Sequence, residues 1–447
     1  MIKLPSLRRF SKQYSTRKSY TYIINEKKVL IQQTSFRLQI SEPELWLESQ
    51  NLYPKVFWKG HHSKKINLGL GQLLTFHKPP SIQLQKIKKG PRLFGGIPFL
   101  ESLLSKTKYS VWHSFSKHSF FLPEIEIILK DDGFGIVYVN SLKDEDKTVV
   151  KERLKQLKSK LVGKDLETVE QLQRIDMPNF SSWCDTVEKS LHSFEKTSLE
   201  KVVLARASYL TFSAKLFPFH LLTELKAFSL NATLFAYAPS AEGAIVGVSP
   251  EIFFQRDQDK IITEAVAGTC KKGFDSKENQ QLIDHLQSSS KDHEEFSYVS
   301  EFIKDKMQDL CHKVMVKKNK SVKETATLFH LFESFQGLLK KGVTDIQIMK
   351  KLHPTPAMGG KPQVLAMEFL DQSEPFVRGQ YAAPIGWMSP FNTELVVAIR
   401  SAFIRKNCMT VFAGAGIVKG SNPAKEWEEL ELKISHFLKM DSLCKTA

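Results

Sequence analysis

The residue types in EWEELELK (426–433) and KDHEEF (291–296) are those that bind cations and anionic ligands. Glu426 and Glu429 are three residues apart and Lys433 lies four beyond Glu429, so on a helix all three share one face. A carboxylate pair with an ammonium beside it suits a hard divalent cation held together with an anionic ligand. A solvated helix face with ordinary ion pairs fits the same spacing. Asp292 and Glu295 mirror that pair, with Phe296, Val299, Phe302 and Ile303 able to face a core while the acids face a cavity. Two such helices brought together would supply oxygen ligands to one magnesium ion, with water and substrate completing its shell. Taken alone, Asp292 and Glu295 fit a surface face as well.

Two single residues add acid–base chemistry. Lys201 opens an otherwise apolar run, VVLA, and Glu251 stands in VSPEIFF between a proline and an apolar run. Lys201 could be a strand-end lysine that keeps its head in water or, if partly buried, a general base. Glu251 could be an exposed strand residue or, if buried, a carboxyl whose raised pKa suits it to donate a proton.

Strands and helices in quick succession must position these groups. Runs within 19–40, 54–62, 66–76, 94–100, 111–129 and 134–140 read as strands, and 142–169 as a Lys/Glu-rich surface helix and boundary. Beyond 181 a helix leads into a strand at 201–212, followed by a helix at 217–228 and strands at 233–239 and 243–257. A run at 260–273 ends in a glycine-containing turn, and helices follow at 277–286 and 291–313. KKNKSVKET (317–325) reads as a polar break before a strand at 327–332 and a helix at 344–352. Without regular β-α-β alternation, the pattern predicts an α+β architecture rather than a Rossmann or barrel fold.

With 447 residues, 42% hydrophobic and 25% charged, the composition is that of a globular protein with a large core. No apolar run is long enough to span a membrane as a helix. Five scattered cysteines show no metal-binding spacing and suggest a reducing compartment. The net charge of +16 fits steering of a small anion or a plain lysine bias, and no nucleic-acid motif accompanies it. The first 25 residues are basic and serine-containing, with no acid before Glu26. They resemble an organellar transit peptide. A frayed basic N-terminus on a cytoplasmic protein is the reading taken.

EKVVLAR, VSPEIFFQR, TEAVAGTCKKG, SKDHEEFSYV, LHPTPAMGG, RGQYAAPIGW, VVAIRSA, AGAGIV and SNPAKEWEELELK occur in an order and spacing that resemble the chorismate-utilising enzymes. That family includes isochorismate synthase, salicylate synthase and the large subunits of anthranilate and aminodeoxychorismate synthases. The resemblance covers roughly residues 181–440, and PKVFWKGHHSKKINLGLG (54–71) is similar to the N-terminal region of the isochorismate-forming branch. It implies a large mixed β-sandwich flanked by helices. Segment 1–18 would be a basic N-terminus, 19–180 a β-rich part of the fold, and 181–440 the chorismate-binding catalytic region.

The resemblance implies magnesium held by Glu295 and Glu429, with Asp292 and Glu426 beside them. Tyr381, Arg400, Lys433 and the backbone at Gly414 and Gly416 match positions that bind the substrate's carboxylates. Gly268 and Thr269 match a substrate-contacting turn, and His353 matches a histidine lining the ring pocket. Lys201 matches the base that activates water for attack at ring carbon 2, and Glu251 the acid that protonates the hydroxyl leaving carbon 4. The anthranilate branch typically has glutamine at the base position, and the aminodeoxychorismate branch a nucleophilic lysine where this chain has Ala267. Conversion of chorismate to isochorismate is therefore expected, by a monomer with no glutaminase partner, feeding menaquinone, siderophore or salicylate synthesis. Salicylate synthase shares these groups and is the main alternative, with an amination subunit behind it. The chain departs from the family pattern at Phe296, where a histidine is usual, at MSPFNTEL (388–395) and at Lys419.

Overall fold

The computed structural model describes residues 16–438, apart from 62, 85–89, 101–111, 116–119, 144, 146–147 and 159–168. Most of the basic N-terminal segment therefore lies outside the described residues, as does Cys444. The fold is α+β, with two large sheets sharing one hydrophobic core. The 14-stranded sheet runs from Gln171–Met177 through Lys201–Phe212, Cys408–Ile417, Ser401–Arg405, Gly243–Ser249 and Thr233–Ser240 into Lys55–Lys59 and the other N-terminal strands. The nine-stranded sheet begins with Cys311–Glu324, Leu328–Leu339, Lys260–Lys271, Ile252–Asp257, Asn392–Val397 and Pro384–Met388, and continues into Leu93–Gly96. Each sheet thus draws strands from both sides of residue 180.

Twice the chain leaves one sheet for the other at neighbouring points. The segment 243–257 reads from its sequence as one strand, but the structure divides it at Pro250 and Glu251. Gly243–Ser249 belongs to the larger sheet and Ile252–Asp257 to the smaller. Proline has no N–H to continue a ladder, so the break falls there. The return crossing joins Asn392–Val397 to Ser401–Arg405, and Arg400 turns it with a φ of 50°. The crossings are tied together: Val397 N–H donates to Glu251 O at 3.1 Å, and Val248 N–H to Arg400 O at 3.0 Å. Ser249, fully buried, donates its hydroxyl to Val397 O at 2.6 Å. An acid and an arginine are thereby fixed side by side between the sheets.

KKNKSVKET is not a break. It belongs almost wholly to the strand Cys311–Glu324, which ends the smaller sheet and, among the described residues, pairs with Leu328–Leu339 alone. An edge strand tolerates a lysine-rich sequence because one side is open to solvent, and charge there discourages pairing with other chains. The preceding helix stops at Leu310 to make room for this strand. The helix expected at 217–228 is shorter, Leu221–Leu225 followed by a 3-10 turn.

Two helices close over the sheets. Ser290–Leu310 starts with the Ser289 hydroxyl accepting Asp292 N–H, and it buries Phe296, Val299, Ile303, Met307 and Leu310 on one face. Such a cap is worth about 1 kcal/mol. Pro423–Leu438 buries Leu430, Ile434 and Phe437 and packs on the strand Cys408–Ile417. Its start is pinned from outside, where Trp183 Nε1 donates to Pro423 O at 3.0 Å.

Candidate active site

The two crossings, the strands Lys201–Phe212 and Cys408–Ile417, and the two helices surround a cleft with about 770 Å³ of free space, including its open mouth. Glu251, Gly268, Thr269, Glu295, Tyr381, Arg400, Gly414, Gly416, Glu429 and Lys433 all line it. Residues spread over some 180 positions of sequence thus meet at one surface, as the motif pattern required.

Lys201 is fully buried directly behind the wall, with Nζ 3.0 Å from Glu295 Oε1. A snorkelling strand-end lysine is thereby ruled out. Burial acts to raise the Glu295 pKa, but Lys201, Lys433 and Lys291 outweigh it and hold the carboxyl below its usual range. Lys433 Nζ makes a 2.5 Å ion pair with Glu429 and donates to Gly414 O at 2.7 Å. Glu251 is neither exposed nor in a regular strand. Burial, followed by the nearby Glu264 carboxylate, pushes its pKa up to about 8, against the opposing pull of Lys323, Lys201 and Lys433. Glu251 therefore carries a proton at neutral pH.

Asp292 and Glu426 stand beside this centre rather than on its wall. Glu426 is buried and accepts an ion-pair hydrogen bond from Lys291 at 2.8 Å. Burial and the Glu429 charge raise its pKa, and burial with Glu295 and Glu429 raises that of Asp292. Arg400 also lines the cleft, its pKa lowered to about 10 by burial. Tyr381 is stacked on Phe412 with ring centroids 5.1 Å apart, and burial raises its pKa.

Two glycines are spatial necessities. Gly268 has a φ of 66°, which places the Ala267–Thr269 bulge against Leu328–Leu339 and lets the backbone approach Asp292. At Gly416 a methyl group would stand 2.1 Å from Glu295 Oε1 and 3.2 Å from Lys201 Cε. Gly416→Ala must displace that ion pair, and a displacement of about 1 Å can lower activity about a hundredfold. The expected result is that loss in kcat/KM with an unchanged circular dichroism spectrum. Near-normal activity would contradict the placement of the pair.

His353 does not line the cleft. Its ring packs edge-on against Phe99 and Phe253, and Nε2 meets Phe99 O at 2.9 Å, so the residue supports the wall from behind. His330 takes the cleft position instead, with Nδ1 3.0 Å from Thr269 Oγ1. Burial, with Arg400 and Lys433 nearby, keeps His330 neutral by lowering its pKa well below the usual value. In the sequence His330 is one residue of an apolar strand, TLFHLF (327–332). A single histidine interrupting that run was the available signal. Arg378 was also missed: it lines the cleft and is fully engaged, donating to Val203 O at 2.5 Å, to Met358 O at 2.8 Å and to Glu374. It locks the cleft wall to the strand carrying Lys201.

A family model described as "Chorismate binding enzyme" matches residues 19–440. The chain belongs to this family. Chloroplastic isochorismate synthase of Catharanthus roseus is 33% identical over 347 residues, covering 74% of this chain and 59% of that protein. Isochorismate synthase MenF of Bacillus subtilis is 31% identical over 389 residues, covering 86% of this chain and 79% of its own. The chain spans less than two thirds of the length of the Catharanthus roseus protein and of chloroplastic isochorismate synthase 2 of Arabidopsis thaliana, 59% and 64%. Among solved structures, the menaquinone-specific isochorismate synthase MenF from Escherichia coli superposes with a TM-score of 0.79 at 25% identity, covering 98% of both chains. Anthranilate synthase component I from Streptococcus pneumoniae shares the fold, with a TM-score of 0.66 at 16% identity over 87% of this chain and 93% of that one. The chorismate-binding fold therefore extends over the N-terminal strands as well as the motif-rich half. Among the described residues no helix is long and apolar enough to cross a membrane.

Proposed function

We propose that this chorismate-binding enzyme is an isochorismate synthase, moving the hydroxyl function of chorismate from ring carbon 4 to ring carbon 2 with water as nucleophile. The observation that carries the reading is the pairing of a buried Glu251 on the cleft wall, its pKa raised by burial, with a buried Lys201 just behind Glu295. Water is a weak nucleophile and hydroxide a poor leaving group, so the reaction needs one proton removed and another delivered. Lys201, in its neutral amine form, takes the proton from water attacking carbon 2. Glu251 gives its proton to the departing hydroxyl. Arg400, Tyr381 and Lys433, with the backbone at Gly414 and Gly416, hold the substrate's carboxylates, and neutral His330 with Thr269 bounds the ring.

The cleft residues fit a magnesium ion. Glu295 and Glu429 face the cleft with Asp292 and Glu426 beside them, and burial, followed by the neighbouring carboxylates, raises the pKa values of Asp292 and Glu426. Among the described residues no three acidic, histidine or cysteine side chains form a closed cage. Magnesium suits that arrangement, because it commonly takes one or two carboxylates and leaves the rest of its shell to water and substrate. When bound, the ion would grip and polarise a substrate carboxylate. Ala267 on the cleft wall leaves no amine to act as nucleophile there, which favours water over an aminated product. The likeness to the menaquinone-specific MenF supports a role supplying isochorismate for menaquinone.

The test is to incubate the purified protein with chorismate and magnesium, with and without ammonium, and separate the products. Isochorismate is the expected product in both cases. Anthranilate or aminodeoxychorismate on adding ammonium, or salicylate with pyruvate as the main product, would overturn the reading.

A further inference from the structure

Next to Glu251, and outside the cleft lining, lies a second buried ion pair that the reaction as described does not use. Lys323 Nζ donates to Glu264 Oε2 at 2.7 Å, and both side chains are only 8% exposed. Glu264 comes from the strand Lys260–Lys271 and Lys323 from the edge strand Cys311–Glu324. The Lys323 ammonium also sits over the Phe332 ring, 5.0 Å from its centroid. A buried pair of this kind adds little stability over a well-packed apolar pair, so its presence calls for another explanation.

The contacts supply one. Glu264 Oε2 also accepts the backbone N–H of Ile252 at 3.3 Å, directly after Glu251 in the chain. One strand position earlier, Thr263 Oγ1 donates to Phe253 O at 2.7 Å. The crossing that carries the acid is therefore fastened to the smaller sheet through these two side chains. We propose that Glu264, with Lys323 as its counter-charge, is a positioning residue for Glu251: it fixes the backbone beside the acid and supplies the negative charge that keeps the acid's proton in place. The proposal rests on Glu251 being the general acid.

The charges around Glu251 agree with this division. Apart from burial, Glu264 is the strongest influence favouring the protonated form, while Lys323, Lys201 and Lys433 act against it, and Arg400 stands on the adjoining crossing. Three ammonium groups near one carboxyl lower its pKa against the larger effect of burial. The Glu264 carboxylate opposes them, and Lys323 makes its burial tolerable.

Glu264→Gln separates charge from position, because the amide oxygen can still accept the Ile252 N–H. The readout is the infrared band of the protonated carboxyl that Glu251→Gln removes, titrated against pH in the full-length protein without substrate. In the wild-type protein the band should disappear with a midpoint near pH 8. In Glu264→Gln the midpoint should fall by about one unit or more, the size expected when a close charge is removed. Removing one member of a buried pair can prevent folding, so the uncharged double variant Glu264→Gln/Lys323→Met is made alongside. Its midpoint should lie between the single variant's and the wild type's. Glu264→Gln should also lower kcat with little change in KM. A purely structural role would reduce the folded fraction but leave the midpoint of the folded molecules where it was, and an unchanged midpoint in both variants overturns the proposal. Failure of the underlying reading is distinguishable, since it would show as normal turnover in Glu251→Gln whatever the band does.

Discussion

Glu251→Gln should lower kcat by about 10²–10⁴-fold, an increase of about 3–5 kcal/mol in the barrier, while making the folded protein more stable at neutral and alkaline pH. The first effect follows from removing the proton that the leaving hydroxyl needs. The second follows from burial. The folded protein holds this proton up to about pH 8, whereas an unfolded glutamic acid releases it near 4.5. Between those values the native state binds one more proton than the unfolded state, so this group's contribution to stability falls as pH rises. It is fully present below pH 4.5 and lost by about pH 8, a change on the order of 5 kcal/mol. Glutamine has no proton to lose, so the melting temperature of the variant should overtake that of the wild type increasingly between those limits. Lys201→Ala should lower kcat comparably, with little change in substrate binding, because the carboxylate grips lie elsewhere. Thermal melts at several pH values, combined with kcat per folded molecule, check both effects. A destabilised Glu251→Gln whose folded fraction turns over normally would contradict the assignment.

Loss of either cleft carboxylate should abolish turnover at ordinary magnesium concentrations, but with different effects on the fold. Glu429 is 29% exposed at its side chain, and its partner Lys433 keeps a hydrogen bond to Gly414 O. Glu429→Ala should therefore remain folded. Glu295 is the ion-pair partner of fully buried Lys201. Glu295→Ala strands that ammonium, and breaking a buried pair in this way costs about 3–5 kcal/mol. Magnesium should raise the melting temperature of the wild-type protein, as any ligand of the native state does, but not that of either variant. Chelator should silence the wild type reversibly. Full activity in excess chelator, or an equal magnesium response in the variants, would contradict the roles given to these two residues.

Much of the site was legible because helical spacing is a local property. Glu426, Glu429 and Lys433 had to share a face whatever the tertiary structure, and Asp292 and Glu295 likewise. Which acids reach the cleft is not set by spacing and was legible only through the family resemblance: Glu295 and Glu429 line it, while Asp292 and Glu426 stand beside them, Glu426 held by Lys291. The special position of Glu251 was half visible, since Pro250 announced a break, but a break does not say that the chain changes sheets. The contribution of the N-terminal strands to both sheets depends on long-range pairing, which short motifs do not encode. His330 and His353 show the same limit at the scale of one residue. His330 sits on the strand Leu328–Leu339 and His353 caps the helix Asp345–Leu352, and only the tertiary arrangement decides which one meets the cleft. The edge strand Cys311–Glu324 was hidden because lysines are tolerated on an open edge and also mark loops.

The claim at the centre of this account is that water, activated at Lys201 and matched by the Glu251 proton, is the nucleophile. Running the reaction from unlabelled chorismate in heavy-oxygen water, with magnesium and ammonium both present, tests it most directly. The account predicts isochorismate carrying the heavy oxygen at ring carbon 2, formed at the full rate in wild type and at a rate reduced by about 10²–10⁴-fold in Lys201→Ala. Isochorismate that retains only the oxygens of its precursor, or an aminated product in its place, would contradict it.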